Sequence, residues 1–255
     1  MIPPELAAFA EDPDLYIEAT DDGVIAREER FCLSISPNRV WGNVSRLRLR
    51  PKEVEETVAE IRARTEGVAT VTWSVGSSAT PADLPERLRA LGLGNPEPPL
   101  EPLVAALALA AEPPGVDGIE VRKVESFDDF LAGLAIVLSS STWSEALAAR
   151  ERENAELNYE RRRRRGGYEW LALLDGEPVA YAGAVRGSVG FYLSGGATLP
   201  QARGRGCYRA LVRARWDEAV RSGLPGLVVH AQYGSSAPIL RRLGFEEVAT
   251  IHTLQ

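Results

Sequence analysis

Two cysteines, one methionine and two histidines are all that the 255 residues contain of those types. Two cysteines cannot build the disulfide framework of a small secreted domain, so a reducing compartment, the cytoplasm, is expected. Long apolar runs are missing too. The longest, Leu103 to Ala111, is nine residues, less than half of the roughly 20 that a spanning helix needs. The opening MIPPELAAFAEDPDLY has neither the basic nor the apolar region of an export leader, and no membrane association is expected. Positive charge is in deficit, with 29 Lys and Arg against 36 Asp and Glu. A general nucleic-acid or anionic-membrane binder needs the opposite balance, so any anion site must be local.

What is present is a globular composition, 45% hydrophobic and 25% charged, at a length that favours two domains. The acidity is unevenly shared. Residues 1 to 112 hold 11 Lys and Arg against 19 Asp and Glu, whereas residues 113 to 255 hold 18 against 17. Between Gly92 and Gly118 lie Pro96, Pro98, Pro99, Pro102, Pro113 and Pro114, a density that interrupts regular structure and reads as connections. The expected division is therefore 1–112 and 113–255.

In the first part, Arg30 to Ser36 and Arg39 to Leu49 read as strands, followed by a helix from Pro51 to Gly67 and a buried strand from Val68 to Val75. In the second, Gly118 to Val124 is a strand and Ser126 caps a helix with Asp128 and Asp129 in its first turn. A polar helix from Ser144 to Arg165 follows. Tyr168 to Leu174 and Pro178 to Ala184 flank the tight turn Asp175-Gly176-Glu177, and Gly190 to Leu199 is the next strand. The helix Cys207 to Ser222, a strand to Ala231, the short helix Pro238 to Leu243 and a last strand, Glu247 to Leu254, complete the order.

The two parts share a pattern. Val71 to Ala79 (VTWSVGSSA) aligns with Val229 to Ala237 (VHAQYGSSA), and Leu88 to Leu93 (LRALGL) with Leu240 to Phe245 (LRRLGF). Each is a strand, a Gly-Ser-Ser-Ala turn and a helix ending at Leu-Gly, the signature of a duplicated half-fold. The repeat also predicts that alanine-rich Leu103 to Ala111 is a strand, against its helical propensity.

The segment richest in chemistry is Ala197 to Val212, ATLPQARGRGCYRALV. A strand enters a turn with Gly204 and Gly206 and a helix begins. Glycines there let consecutive amides converge, and the helix start adds partial positive charge, which makes a seat for a pyrophosphate. No Lys-Ser or Lys-Thr follows, so this is not a P-loop, and Arg209 stands where Gly-x-Gly-x-x-Gly needs its third glycine.

Gln201-Ala-Arg-Gly204-Arg-Gly206, the element order and the Leu-Gly-Phe245 ending together resemble the GNAT (Gcn5-related N-acetyltransferase) superfamily over residues 117 to 255. The resemblance implies an α/β (α+β) fold with a mixed, mostly antiparallel sheet flanked by helices. Residues 1–112 are similar to the degenerate half of tandem members, lacking the Gly signature and so expected to bind no cofactor. The implied co-substrate is acetyl-CoA, without a metal, and the implied partner is an amine. Backbone of Ala197, Thr198 and Leu199 would pair with the pantetheine arm. The turn from Gln201 through Arg203, Gly204, Arg205 and Gly206 to Cys207 would hold the pyrophosphate, with Ser236 a further cofactor contact. An amide near Ala197 would face the acyl oxygen, and Cys207 is a helix-start residue rather than a nucleophile.

The sequence departs from the family where protons move. Leu240 stands in the place of the usual acid tyrosine, and the usual asparagine is absent from Tyr233-Gly234-Ser235-Ser236. Tyr233, Ser236 or solvent is left as proton donor, and His230 as the base with an ordinary pKa near neutrality. Arg161 to Arg165 read as a solvated helix end. Trp143, Tyr192 and Ser194 are candidate acceptor contacts. Three functions compete: acetyl transfer to an amine of a small molecule by direct attack, a non-catalytic acetyl-CoA-binding or interaction module, and nucleotide binding at the glycine turn alone.

Overall fold

The computed structural model describes residues 1–18, 23–96, 100–140 and 145–255. In chain order the elements are α1 Pro4–Glu11, β1 Val24–Arg27, β2 Cys32–Ile35, β3 Trp41–Ser45, α2 Val54–Arg64, β4 Thr70–Val75, α3 Leu84–Ala90 and β5 Leu103–Leu109. There follow β6 Glu120–Lys123, α4 Phe127–Ser140, α5 Glu145–Glu153, α6 Ala155–Arg164, β7 Glu169–Leu174, β8 Glu177–Arg186 and β9 Phe191–Thr198. The chain closes with α7 Cys207–Arg221, β10 Leu227–Gln232, α8 Ser236–Arg242 and β11 Glu246–Leu254. These form two compact units, one of Met1–Ala108, Gly187–Val189 and Val228–Gln255, the other of Leu109–Arg186 and Gly190–Leu227.

The first unit is built on strands in the order β1-β2-β3-β4-β11-β5-β10. β3 and β4 run parallel, and the β1–β2, β2–β3, β4–β11 and β11–β5 pairs are antiparallel. On one face Leu33, Ile35, Val44, Trp73 and Val75 pack with Val54, Val58 and Ile61 of α2 and Leu84 and Leu88 of α3. Alternation sends the intervening side chains to the other face. There Ser34 Oγ, Asn43 Nδ2 and Ser45 Oγ donate to Asp14 Oδ2 at 3.2, 2.8 and 3.0 Å. Asp12 is fixed alongside by the amide of Arg46 and by Arg48 Nη2, both at 3.0 Å. The strand expected over Arg39 to Leu49 is only Trp41–Ser45, because Arg46 turns the chain with φ 51°.

The repeated segments fold alike, and their final strands are exchanged. Each gives strand, helix, strand: β4-α3-β5 and β10-α8-β11. Instead of lying beside its own partner, β11 inserts between β4 and β5, and β5 lies between β11 and β10. β11 and β5 pair antiparallel at the centre, Thr250 opposite Ala105 and Ile251 opposite Val104. Leu103–Leu109 is a strand, as the repeat predicts; all of its first four residues pair with β11 at this seam and Ala105 to Leu109 are buried.

The second unit carries the antiparallel meander β9-β8-β7-β6. Asp175 and Gly176, at φ 53° and 83°, make the tight β7–β8 turn, conformations suited to a two-residue hairpin. Phe130, Ile136, Ala155 and Tyr159 of α4 and α6 pack on Leu171, Leu173 and Tyr181. On the opposite face, Cys207 and Leu211 of α7 pack on Trp170, Ala172, Ala180 and Ala182. The polar helix expected from Ser144 to Arg165 is two helices, interrupted at Asn154. Ser144 and Trp143 lie outside the described residues. Among the described residues no helix is long and apolar enough to cross a membrane.

Candidate functional site

In the second unit, β9 is irregular at the point where it approaches the glycine turn. Ala182 of β8 faces Gly196 and Gly183 faces Ser194, so Gly195, at φ 47°, is left over as a bulge. Space at Gly183 is tight as well: a Cβ there would sit 3.2 Å from Ser194 Oγ. Beyond the bulge, Ala197 faces Tyr181 and Thr198 faces Ala180. The Leu199 amide donates to Val179 O at 2.9 Å, so it belongs to the sheet. Tyr192 and Ser194 are half-buried on this strand.

Pro200–Ala202 forms one 3-10 turn and brings the chain to α7. Gln201, Arg203, Gly204 and Arg205 are exposed, and Arg203 Nε donates to Thr198 O at 3.3 Å. Gly204 and Gly206 take φ 77° and 94°, which side chains resist. Gly206 is the N-cap of α7. A Cβ on it would lie 3.0 Å from Val116 Cγ1 and 3.3 Å from Arg209 Nη2. The first amide of α7 to find a carbonyl one turn back is that of Ala210, on Gly206 O at 3.0 Å. The amides before it have no such carbonyl and, with Arg203, Arg205 and Arg209 around them, suit an anion. Arg209, which the sequence marks only as the residue in place of a third glycine, was legible as a cation in the first turn of α7. Cys207 is buried and its thiol is pushed up by burial, so it remains protonated and is no nucleophile at neutral pH.

One arginine of the Arg161 to Arg165 run also has a structural role, although its side chain is 45% exposed. Arg162 turns inward and, with the hydroxyl of Tyr181, bonds Oε1 of buried Glu169. Burial, first of all, pushes the Tyr181 phenol well up, and Glu169 adds to it. The signal was available in β7: Glu169 is a carboxylate beside the apolar Trp-Leu-Ala-Leu-Leu, and such a group requires a partner.

The remaining expected residues are in the first unit. His230 on β10 places Nε2 2.9 Å from the carbonyl oxygen of Ala10 at the end of α1, and burial lowers its pKa. The ring is therefore neutral at pH 7, with Nε2 engaged as a donor. Tyr233 donates its hydroxyl to Glu247 Oε1 at 2.6 Å and lies 3.1 Å from Thr250 Oγ1. Burial and then Glu247 raise its pKa, which keeps the phenol protonated. Ser236 Oγ accepts the amide of Gln232 at 3.0 Å and closes the turn before α8. Leu240, in the place of the family's tyrosine, is fully buried. Glu101, which the sequence reading passed over, accepts the amides of Tyr233 and Gly234 at 2.8 and 3.0 Å.

Residues 136–245 match the family model described as acetyltransferase (GNAT) family. Among solved structures the chain is similar to a GCN5-related N-acetyltransferase from Kribbella flavida, at 17% identity and a TM-score of 0.70, covering 98% of this chain and 94% of that one. A GCN5-related N-acetyltransferase from Sphaerobacter thermophilus is similar at 15% identity and a TM-score of 0.60, over 89% of this chain and 80% of that one. A tandem GNAT protein from the clavulanic acid biosynthesis pathway is similar at 13% identity and a TM-score of 0.59, over 99% and 87% respectively. These likenesses are of fold. No curated protein matches the sequence.

Proposed function

Because the chain carries a domain of the acetyltransferase (GNAT) family across residues 136–245, we propose that it is an acetyl-CoA-dependent N-acetyltransferase acting on an amine of a small molecule by direct attack in a ternary complex. The observation that carries the reading is the turn into α7, where Gly204 and Gly206 at positive φ open onto amides without a preceding helical carbonyl. Residues Gln201 to Cys207 hold the pyrophosphate of acetyl-CoA, and the backbone of Ala197 and Thr198 aligns its pantetheine arm; Leu199, expected there as well, has its amide on Val179 O and its carbonyl on the Ala202 amide. When bound, acetyl-CoA supplies an activated acyl carbon and a thiolate leaving group.

The protein's own groups then orient, and exchange protons. An amide near Ala197 receives the acyl oxygen's growing charge, an arrangement that lowers a barrier because the dipole is already in place. Tyr233, held protonated by burial and by Glu247, is the donor toward the departing sulfur. His230, neutral with Nε2–H donated to the Ala10 carbonyl, is the base through Nδ1, directly or by way of a water. Ser236 is the further cofactor contact. Residues 1–112 are the degenerate half of the tandem and 113–255 the catalytic half.

The buried Leu240 favours a second reading, a non-catalytic acetyl-CoA-binding module, since no phenol stands there. Thiol release from acetyl-CoA in the presence of a panel of primary amines separates the two. Turnover on any amine supports transfer; calorimetric binding of acetyl-CoA without turnover favours the module. Thermal stabilisation by ATP or NAD but not by acetyl-CoA would remove both.

A further inference from the structure

Arg215 is a buried charge without a counter-ion. It lies on α7 at 1% exposure, one turn from Leu211 and one from Ala219, on the face of the helix that meets the sheet. Nε donates to Leu211 O at 2.9 Å and Nη1 to Gly183 O at 3.2 Å. Nη2 makes no hydrogen bond among the described residues. Nor does any carboxylate of the described residues form an ion pair with it: Glu218 is 2.7 Å from Arg221 and 3.9 Å from Lys123 instead. The ring of Tyr208 is its neighbour, with Cζ 5.7 Å from the ring centroid. Burial lowers the guanidinium's hold on its proton, and Tyr208 opposes that effect.

A cation in such a place is unfavourable unless an opposite charge or a full set of acceptors repays its lost hydration. An aliphatic side chain of similar length would fill the same space without that cost. The surroundings say where the missing anion belongs. Gly183, which takes Nη1, is the residue opposite the β9 bulge. Tyr208 covers the next residue of the bulge, since a Cβ on Gly196 would lie 2.9 Å from its Cε2. The guanidinium thus sits on the α7 side of the bulge, one residue before Ala197.

We propose that Arg215 is a positioning residue of the acyl-transfer site: it anchors the bulge through Gly183 and keeps a buried positive charge behind β9 that favours negative charge on the acyl oxygen. The assignment rests on the acetyl-transfer reading. In that step the amine nitrogen bonds to the acyl carbon and the carbonyl π pair moves to oxygen. The pair returns as the C–S bond breaks, the sulfur keeps the bonding electrons, and the nitrogen loses its extra proton to base or solvent. Arg215 touches none of these atoms and exchanges no proton; its charge acts through the strand.

The test compares wild type, Arg215→Met and Arg215→Lys in thermal unfolding without ligand and in thiol release on an accepted amine. In Arg215→Met the unfolding midpoint is expected to hold or rise, because an unpaired buried charge has gone, while kcat falls by at least about ten-fold. KM for acetyl-CoA should stay within about two-fold, and Arg215→Lys should recover part of kcat. A lower midpoint with kcat unchanged, or with kcat and KM deteriorating together, would assign Arg215 to packing and overturn the proposal. Wild-type protein that turns over no amine overturns the acetyl-transfer reading itself, an outcome separate from a variant as active as wild type.

Discussion

Gly234 leaves its Cβ position to Glu101: a side-chain carbon there would lie 2.8 Å from Oε1, the atom that accepts the Gly234 amide. The repeat places Gly76 at the equivalent position, and a Cβ on Gly76 would overlap the carboxylate of Glu11. Glu11 in turn accepts the amide and hydroxyl of Ser78, at 2.6 and 2.7 Å. Both Gly-Ser-Ser-Ala turns are therefore filled by a glutamate from elsewhere in the first unit, on different amides. Gly76→Ala and Gly234→Ala are each expected to destabilise the protein by about 1–3 kcal/mol, since a displaced carboxylate strands its donors. Gly76→Ala should cost more, because three atoms of Glu11 crowd the position against a single close atom of Glu101. Chemical unfolding of double variants with Glu11→Ala and Glu101→Ala checks this: coupling of at least about 0.5 kcal/mol is expected within each pair and none across pairs.

Stability should fall in mild acid through His230. Burial lowers the ring's folded-state pKa below its ordinary value, so the unfolded chain binds the proton first. The stabilisation is complete above the ordinary histidine pKa of about 6.5 and is lost as pH falls through it toward the folded value. Each unit of lowering is worth about 1.4 kcal/mol. Glu11 and Asp14 face the ring and moderate the effect. Asp12 acts in the opposite sense, its burial raising a carboxyl pKa, so a difference measurement is needed. Unfolding midpoints of wild type and His230→Gln between about pH 7.5 and 5 should converge as the pH falls.

Gly206 separates ligand binding from simple backbone strain. Alanine there would have to hold φ 94° and bring its Cβ to 3.0 Å from Val116 Cγ1. A control is Gly176→Ala, at φ 83° in the β7–β8 turn with open space around it. Both should lower the unfolding midpoint, by about 1–2 kcal/mol of left-handed strain. Titration calorimetry should find acetyl-CoA affinity reduced about ten-fold or more in Gly206→Ala and unchanged in Gly176→Ala. Equal affinities in both would remove the glycine turn from the cofactor site.

The strands of the second unit were legible because each signal was local: alternation, a positive-φ turn at Asp175-Gly176, and glycines before an amphipathic helix. The exchange of β5 and β11 was not. The repeat reveals two like segments but says nothing about which strand lies beside which, a choice made by packing far apart in sequence. The site divided in the same way. The turn from Gln201 to Cys207 is contiguous and carries its own pattern, whereas His230 could not be read as held by Ala10, 220 positions away. Arg215 is an intermediate case. Its position on an inward helical face was visible, while its lack of a carboxylate partner needed the fold.

Tyr233 is where the proton assignment can be decided. Its hydroxyl donates to Glu247 at 2.6 Å, and burial and that carboxylate keep it protonated above its ordinary range. A donor in this state stays in its acid form across neutral pH, so kcat should show no loss from phenol ionisation between about pH 7 and 9. Tyr233→Phe deletes the proton and the bond to Glu247, and should cost about 1 kcal/mol of stability. If the phenol protonates the departing thiolate, kcat should also fall by about ten-fold or more, with acetyl-CoA affinity kept. Glu247→Gln supplies the discriminating arm, because it preserves the hydroxyl while removing the carboxylate that raises its pKa. It should retain most of kcat and shift the alkaline limb of the kcat profile to lower pH. A Tyr233→Phe enzyme as fast as wild type, at matched stability, would return proton donation to solvent.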